Sequence, residues 1–252
     1  MQTTRVHHPR RMLDGVLVVD KPRDWTSHDV VAKVRAHFRL HKLGHAGTLD
    51  PVATGVLVLL AGRATKCAEF LLADDKEYRF VVRCGITTDT QDITGTVLAQ
   101  IENPPEPSRD TIEQVLAAFR GQILQVPPMF SAVKIDGTRL YKLGRKGRDI
   151  PREPRPITIS ELVLEKIHWP CITLRAVCSK GTYVRTLCHD IGQQLGVGGC
   201  MESLVRLRSG VYTLTQALPL PQVLQLTPEQ FAAALLPMPV RPAPPGRPQL
   251  PG

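Results

Sequence analysis

The sequence predicts an α+β protein with a mixed, largely antiparallel sheet flanked by helices. Strand-like runs outnumber helix-like runs, and several are separated by turns of hairpin length. At 252 residues, 42% of them hydrophobic, the chain is long enough to bury a substantial core.

Residues 15–20 (GVLVVD) are β-branched and bounded by Gly and by Lys21-Pro22, the pattern of a buried strand. Residues 26–29 (TSHD) have capping-box spacing, with Asp in place of the usual Glu. Val30, Val31, Val34 and Phe38 follow at helical spacing, so a helix is expected over 27–39. A glycine-rich loop, 44–55, leads into a strand at 56–60 and a short amphipathic helix at 64–72. Residues 76–84 (KEYRFVVRC) read as a long strand, 85–95 as polar turns and 96–99 as a strand again. Asp110 and Glu113 resemble a cap for a helix running to Phe119. Residues 157–167 and 172–178 form a strand pair around Trp169-Pro170, 182–195 a helix, and 204–212 a strand. Thr227, Pro228 and Gln230 open a last helix through Leu236: N-cap, first turn and third position. No internal repeat is apparent.

Two segments differ in composition. Residues 126–156 hold five prolines and eight Lys/Arg against three acids, as an exposed basic arm would. Met129, Phe130, Leu140 and Tyr141 are its candidate anchors. From 238 to 252, six of fifteen residues are proline, so an extended tail is expected.

The net charge is +9, which favours a polyanionic partner, nucleic acid first. No apolar run is long enough to span a bilayer as a helix, and residues 1–12 lack the apolar stretch of a secretory signal. The six cysteines form no Cys-x-x-Cys pair and read as reduced thiols. His37, His41 and His45 stand four apart, but Gly44 interrupts the helix and no acid or cysteine lies close in sequence, so no metal site is expected. No acyl-serine elbow or P-loop is present.

The stretch around Asp50 is the most informative. Gly44, Gly47 and Gly55 let backbone approach a ligand, and Pro51 stiffens the turn. A carboxylate held there is a candidate nucleophile or base, although spacing alone favours an Asp that caps an Asp-Pro turn.

Residues 44–55 (GHAGTLDPVATG) resemble the signature loop of the TruB family of RNA pseudouridine synthases. Other blocks match in the same order: 15–22 (GVLVVDKP), 76–79 (KEYR), 88–92 (TDTQD) with Gly95, 128–134 (PMFSAVK), 151–155 (PREPR) and 178–186 (CSKGTYVRT). The resemblance spans roughly residues 14–236. It implies the pseudouridine-synthase catalytic fold over 14–237, with 126–156 as an RNA-gripping insertion, and a cytoplasmic enzyme acting as a monomer. It also implies isomerisation of the uridine at position 55 in the T-loop of tRNA, with no metal or organic cofactor. A C-terminal PUA domain, carried by many members, is not expected after residue 238.

By resemblance, Asp50 is the catalytic aspartate, Arg185 the arginine that pairs with it, and Tyr78 the tyrosine that stacks on the flipped base. The plainer readings are a helical Arg and an ordinary strand aromatic. His45 corresponds to a histidine that holds the displaced nucleotide, Asp92 to a loop residue near RNA, and Leu204 to a residue packing on the target base. Lys21, Pro22, Gly47 and Thr48 correspond to structural support. Lys134, Arg139, Lys142, Arg145, Lys146 and Arg148 in the basic arm would contact phosphates, where the plainer reading is a solvated charged loop. Two other readings stay open: an RNA-binding or RNA-folding protein without catalysis, and a base-releasing glycosylase. Arg5, Arg10 and Arg11, with no acid before Asp14, leave organellar import open as well.

Overall fold

The computed structural model describes residues 11–131, 134–135, 137–140, 144 and 150–239. In chain order the strands are β1 (Gly15–Lys21), β2 (Leu43–Ala46), β3 (Thr54–Ala61), β4 (Lys76–Cys84), β5 (Ile86–Thr88), β6 (Val97–Gln100) and β7 (Gly121–Gln125). They continue with β8 (Lys134–Ile135), β9 (Thr138–Arg139), β10 (Arg155–His168), β11 (Cys171–Cys178), β12 (Gly199–Ser209), β13 (Tyr212–Thr213) and β14 (Leu218–Pro219). The helices are α1 (Ser27–His37), α2 (Ala68–Ala73), α3 (Arg109–Ala117), α4 (Val184–Gln194), α5 (Leu220–Val223) and α6 (Pro228–Ala233).

Ten of the strands form one sheet in the order β14-β1-β3-β12-β4-β11-β10-β7, with β2 pairing β3 and β13 pairing β12. The β1–β14 and β3–β12 pairs are parallel; the other pairs are antiparallel. The expected α+β class and mixed, mostly antiparallel sheet are therefore present.

The two halves of the sheet are covered differently, and the sequence shows why. On β1 and β3, Leu17, Val19, Leu57 and Leu59 pack under α1, Leu220 and Phe231, while Val16, Val18, Val56, Val58 and Leu60 pack on Leu71 and Tyr212. Both faces are buried, so these strands read as continuous apolar runs. Phe38 and Phe231 close one side, their rings stacked with centroids 4.0 Å apart. On β4, β10 and β11 only one face is buried, by α3 and α4. Their sequences alternate accordingly, and the outer face carries ion pairs: Arg175 to Glu77 and Glu161, both at 3.1 Å, and Arg79 to Glu165 at 2.6 Å.

Several boundaries differ from expectation. The glycine-rich stretch at 44–55 starts as strand, because β2 pairs with β3 from Leu43↔Ala61 to Ala46↔Val58. Residues 86–88 pair with β6 rather than forming turns only. The cap of α3 is Ser108, whose hydroxyl accepts from the Thr111 amide, and not Asp110. β12 begins at Gly199, five residues before the expected Leu204, because its first residues pair with β4. α6 ends at Ala233; Leu236 exchanges two backbone hydrogen bonds with Val16 instead of extending the helix. The Thr26 capping box forms as read, with Asp29 accepting from the Thr26 amide at 3.0 Å.

The six cysteines are free thiols. Among the described residues no group of His, Cys, Asp and Glu is arranged to hold a metal, and no helix is long and apolar enough to cross a membrane. Residues 1–10 and 240–252, with the N-terminal arginines Arg5 and Arg10 and most of the tail, lie outside the described residues.

Helix α4 is seated by an absence of side chain. A Cβ on Gly192 would overlap the backbone of Gly198 and Gly199, so glycine lets α4 approach the start of β12. Gly192→Ala is expected to lower the unfolding free energy by about 1–3 kcal/mol through overpacking. Chemical denaturation of the two proteins checks this; equal stability would show that the contact yields freely.

Candidate active site

A cleft of about 330 Å³ opens at the sheet surface, with Asp50, Tyr78, Phe130, Arg185, Leu204 and Arg206 among its walls. That volume is at the small end for ligand sites. Its walls come from the loop between β2 and β3, strands β4 and β12, the loop leading into α4 with that helix's first turn, the end of α2, and residues 130–131 at the root of the basic arm.

Asp50 sits in irregular backbone, so the polar groups of its loop need partners from outside the regular ladder. The Leu49 amide donates to Ser27 Oγ at 2.8 Å, and Ser27 Oγ donates to Leu49 O at 3.2 Å. Pro51 O accepts from the Asp24 amide at 2.8 Å and from Lys21 Nζ at 3.2 Å. The Gly55 amide donates to Asp20 Oδ1 at 3.0 Å. Arg206 holds both stems of the loop, donating from Nη2 to Gly47 O at 3.0 Å and from Nε to Val56 O at 2.7 Å. Gly47 and Gly55 have φ of +89° and +96°, and a Cβ at Gly55 would overlap the Arg206 backbone. Glycine is required at both positions.

Arg185 projects from the first turn of α4 and is 5% exposed. Its Nε lies 2.8 Å from Asp50 Oδ2, and Nη1 lies 3.7 Å from Asp92 Oδ2. Nη1 also donates to Thr90 O at 3.1 Å and Nη2 to Phe130 O at 2.9 Å. The guanidinium thus lies between two carboxylates, with backbone carbonyls taking its other protons. Asp50 keeps 36% of its side chain open to the cleft, whereas Asp92 keeps 7%.

The start of α4 has no side-chain cap of its own. Gln125, on edge strand β7, supplies one substitute: its amide accepts from the Tyr183 N–H at 2.8 Å and donates to Tyr183 O at 3.0 Å.

Tyr78 faces inward from β4, opposite Arg206 on β12. Burial pushes its phenol pKa up; the positive charge of Arg206 pulls the other way. Lys21 is fully buried, and its three ammonium protons meet three carbonyls: Pro22 at 2.8 Å, Trp25 at 2.6 Å and Pro51 at 3.2 Å. Burial lowers its pKa to about 8, against a raising contribution from Asp50.

The residues read from the sequence fall into three groups. Asp50, Tyr78, Arg185, Leu204, Gly47 and Thr48 meet at the cleft, and Lys21 and Pro22 lie beneath its loop. Asp92 is placed differently from the expected RNA contact. It is 5% exposed, with one oxygen accepting from the Thr94 amide at 3.0 Å and the other facing Arg185. It orients the arginine from behind. His45 lies on β2, short of the cleft wall, which begins at Gly47. Burial, with Arg206 and His28, lowers its pKa, and its Nδ1 is buried without a hydrogen-bond partner.

In the arm, Lys134 and Arg139 are backbone register partners in the β8–β9 pair. Tyr141, Lys142, Arg145, Lys146 and Arg148 lie outside the described residues. Of the expected anchors, Met129 and Leu140 are buried and Phe130 lines the cleft.

Sequence reasoning missed Ser27, Gln125 and Arg206. Only Arg206 carries a local signal: two residues after Leu204 on one strand, it must share the face of that leucine.

Comparison with known proteins fits this geometry. Residues 35–184 match the model for the TruB family pseudouridylate synthase N-terminal domain, and 185–242 match the tRNA pseudouridylate synthase B C-terminal domain. The chain belongs to the TruB family. It is a pseudouridine synthase. The TruB-family chain is 44% identical over 230 residues to tRNA pseudouridine synthase B of Opitutus terrae, covering 91% of this chain and 95% of that one. It is 50% identical over 216 residues to the protein of the same name from Pseudomonas paraeruginosa, covering 86% and 70% of the two chains. A crystal structure of a Cbf5-Nop10-Gar1 complex superposes with a TM-score of 0.71 at 30% identity, over 90% of this chain. The TruB-family chain spans 61% of the length of that solved chain.

The buried lysine gives a pH-dependent test. Between about pH 8 and 10.5 the unfolded chain holds more protons at Lys21 than the folded one, so its contribution to stability rises with pH over that window. The difference in unfolding free energy, wild type minus Lys21→Met, should therefore increase by about 1–2 kcal/mol from pH 8 to pH 10. Denaturant titrations at both pH values measure it, and parallel behaviour of the two proteins would contradict the burial of a charged amine.

Proposed function

We propose that the chain converts uridine to pseudouridine in tRNA, at position 55 of the T-loop. The catalytic unit on this reading is residues 14–237, acting as a monomer in the cytoplasm. The observation that carries the proposal is a part-open Asp50 carboxylate, fixed by Arg185 at 2.8 Å, in a cleft shared with Tyr78. The names of the curated relatives, tRNA pseudouridine synthase B, support the choice of tRNA.

The chemistry asks for little more than these side chains. The N1–C1′ bond breaks, the base turns, C5 bonds to C1′, the C5 proton leaves, and the freed N1 takes up a proton. C1′ becomes electron-poor as the first bond breaks. The Asp50 carboxylate can stabilise that charge, trap it covalently, or take a sugar proton. Arg185 favours the ionised carboxylate and fixes its direction. A base stacked within the folded loop cannot reach Asp50, so the uridine must be turned out into the cleft. Leu204 and Tyr78 offer apolar surface to its face, and the Tyr78 oxygen can accept the C5 proton.

RNA-binding without catalysis accounts for the net charge but gives no role to Asp50 held open beside Tyr78. A glycosylase would use the same carboxylate but release free uracil, whereas an isomerase retains it.

Incubation with an unmodified tRNA transcript, followed by mapping of pseudouridine at single-nucleotide resolution, tests the reading. One modified site in the T-loop is expected. Conversion should fall below detection in Asp50→Asn with folding retained. Arg185→Lys keeps the charge but loses the planar fork, and should cut turnover by about 100-fold. Release of uracil, or full activity in Asp50→Asn, would overturn the assignment.

The basic arm adds a second test. We place Lys134, Arg139, Lys142, Arg145, Lys146 and Arg148 on the phosphates of the T-arm. A plot of log binding constant against log salt should then fall with a slope steeper than about −3. Replacing Lys142, Arg145 and Lys146 together by alanine should flatten that slope and raise KM. An unchanged slope would remove the arm from the interface.

A further inference from the structure

Arg206 is 1% exposed, the largest of the fully buried side chains, and among the described residues no carboxylate lies within ion-pairing distance of it. An unpaired buried cation is costly, and removing water from it without a partner is ordinarily avoided. Its position is also unusual. On β12 it lies opposite Tyr78 of β4 and beside Gly55 of β3. One guanidinium therefore ties both stems of the loop that carries Asp50, from a strand position directly opposite Tyr78.

We infer that Arg206 is a positioning residue that holds the Tyr78 oxygen in register with Asp50 and supplies the positive charge against which that oxygen becomes a base. The inference rests on the reading of Asp50 and Tyr78 proposed above. In the step concerned, the phenolate oxygen takes the proton from C5. The C–H electron pair forms C5=C6, the C6=N1 pair moves onto N1, which takes a proton from solvent, and the neutral phenol gives its own proton to solvent before the next turnover. A phenolate in this site needs a nearby cation, because burial disfavours it. The charged groups around Tyr78 are Arg206, its register partner on β12, Lys76 two residues before it on β4, and Asp50 and Arg185 in the same cleft. Lys76 Nζ is committed to the carbonyls of Leu71, Leu72 and Asp74, which leaves Arg206 as the cation opposite the phenol. Arg185 is already held between Asp50 and Asp92.

The test uses the full chain, with Arg206→Gln and Arg206→Lys. Arg206→Gln should lower kcat by about 100-fold or more, with KM for tRNA changed by less than about threefold. The alkaline-rising limb of its pH–rate profile should move up by at least about one pH unit. Arg206→Lys should recover part of both effects. Should Arg206→Gln not fold, Arg206→Lys carries the test by itself: its limb must lie above that of the wild type.

A second readout needs no activity. The ultraviolet titration of the Tyr78 phenol, taken as the difference between each protein and its Tyr78→Phe counterpart, should shift to higher pH in the order wild type, Arg206→Lys, Arg206→Gln. A limb and a phenol titration unmoved by substitution, even with reduced kcat, would show that Arg206 only braces the loop and would overturn the inference. Absence of pseudouridine with the wild-type chain would overturn the functional reading, while the phenol titration would still decide whether Arg206 and Tyr78 are coupled.

Discussion

The site depends on keeping one stretch of non-repetitive backbone rigid. Residues 47–53 leave the sheet ladder to present Asp50, and unpaired polar groups there would each cost on the order of 1–3 kcal/mol if buried. Each anchor comes from a different part of the chain: Ser27 from α1, Lys21 and Asp20 from β1, Arg206 from β12. The carboxylate is fixed because its backbone is fixed, so little reorganisation is left for the moment of reaction.

Arg185 extends that rigidity to the side chain. With Asp50 on one side and Asp92 on the other, the guanidinium has a preferred plane, and the open Asp50 oxygens are aimed into the cleft. A surface ion pair would be weak, but this cation is nearly buried and charge-assisted on several sides. Removing either carboxylate would leave it under-compensated. The burial of Asp92 therefore makes its contribution orientational.

Local patterns made much of the fold legible. β4 was readable over its full length because one face is wet and the alternation is clean. The cap of α1 was readable because its partners lie three residues apart. Asp50, Tyr78 and Arg185 emerged from order-preserving motif resemblance; spacing alone left each with a plainer explanation. The rest depends on contacts distant in sequence. The early part of β12, Gly-Cys-Met-Glu, has no strand signature and is strand because β4 lies beside it. Leu236 left its helix for a partner more than two hundred residues upstream. Gln125 and Ser27 are ordinary polar residues until the fold brings them to Tyr183 and Leu49. Arg206 was readable in principle from the period of its strand, but an arginine on an inward face is easily discounted.

The hydrogen bond from Arg185 to the Phe130 carbonyl joins two things otherwise separate. Phe130 belongs to the root of the basic arm, and Arg185 to the carboxylate at the centre of the cleft. On the proposed reading, a displacement of the arm's root that moved the Phe130 carbonyl would change the partners of the guanidinium, and a shift of the guanidinium would change those of the carbonyl. Free-energy coupling of this kind is reciprocal: if occupation of the arm favours one arrangement at Asp50, occupation of the cleft favours the matching arrangement of the arm by the same amount. On that reading, grip and insertion would share one 2.9 Å hydrogen bond.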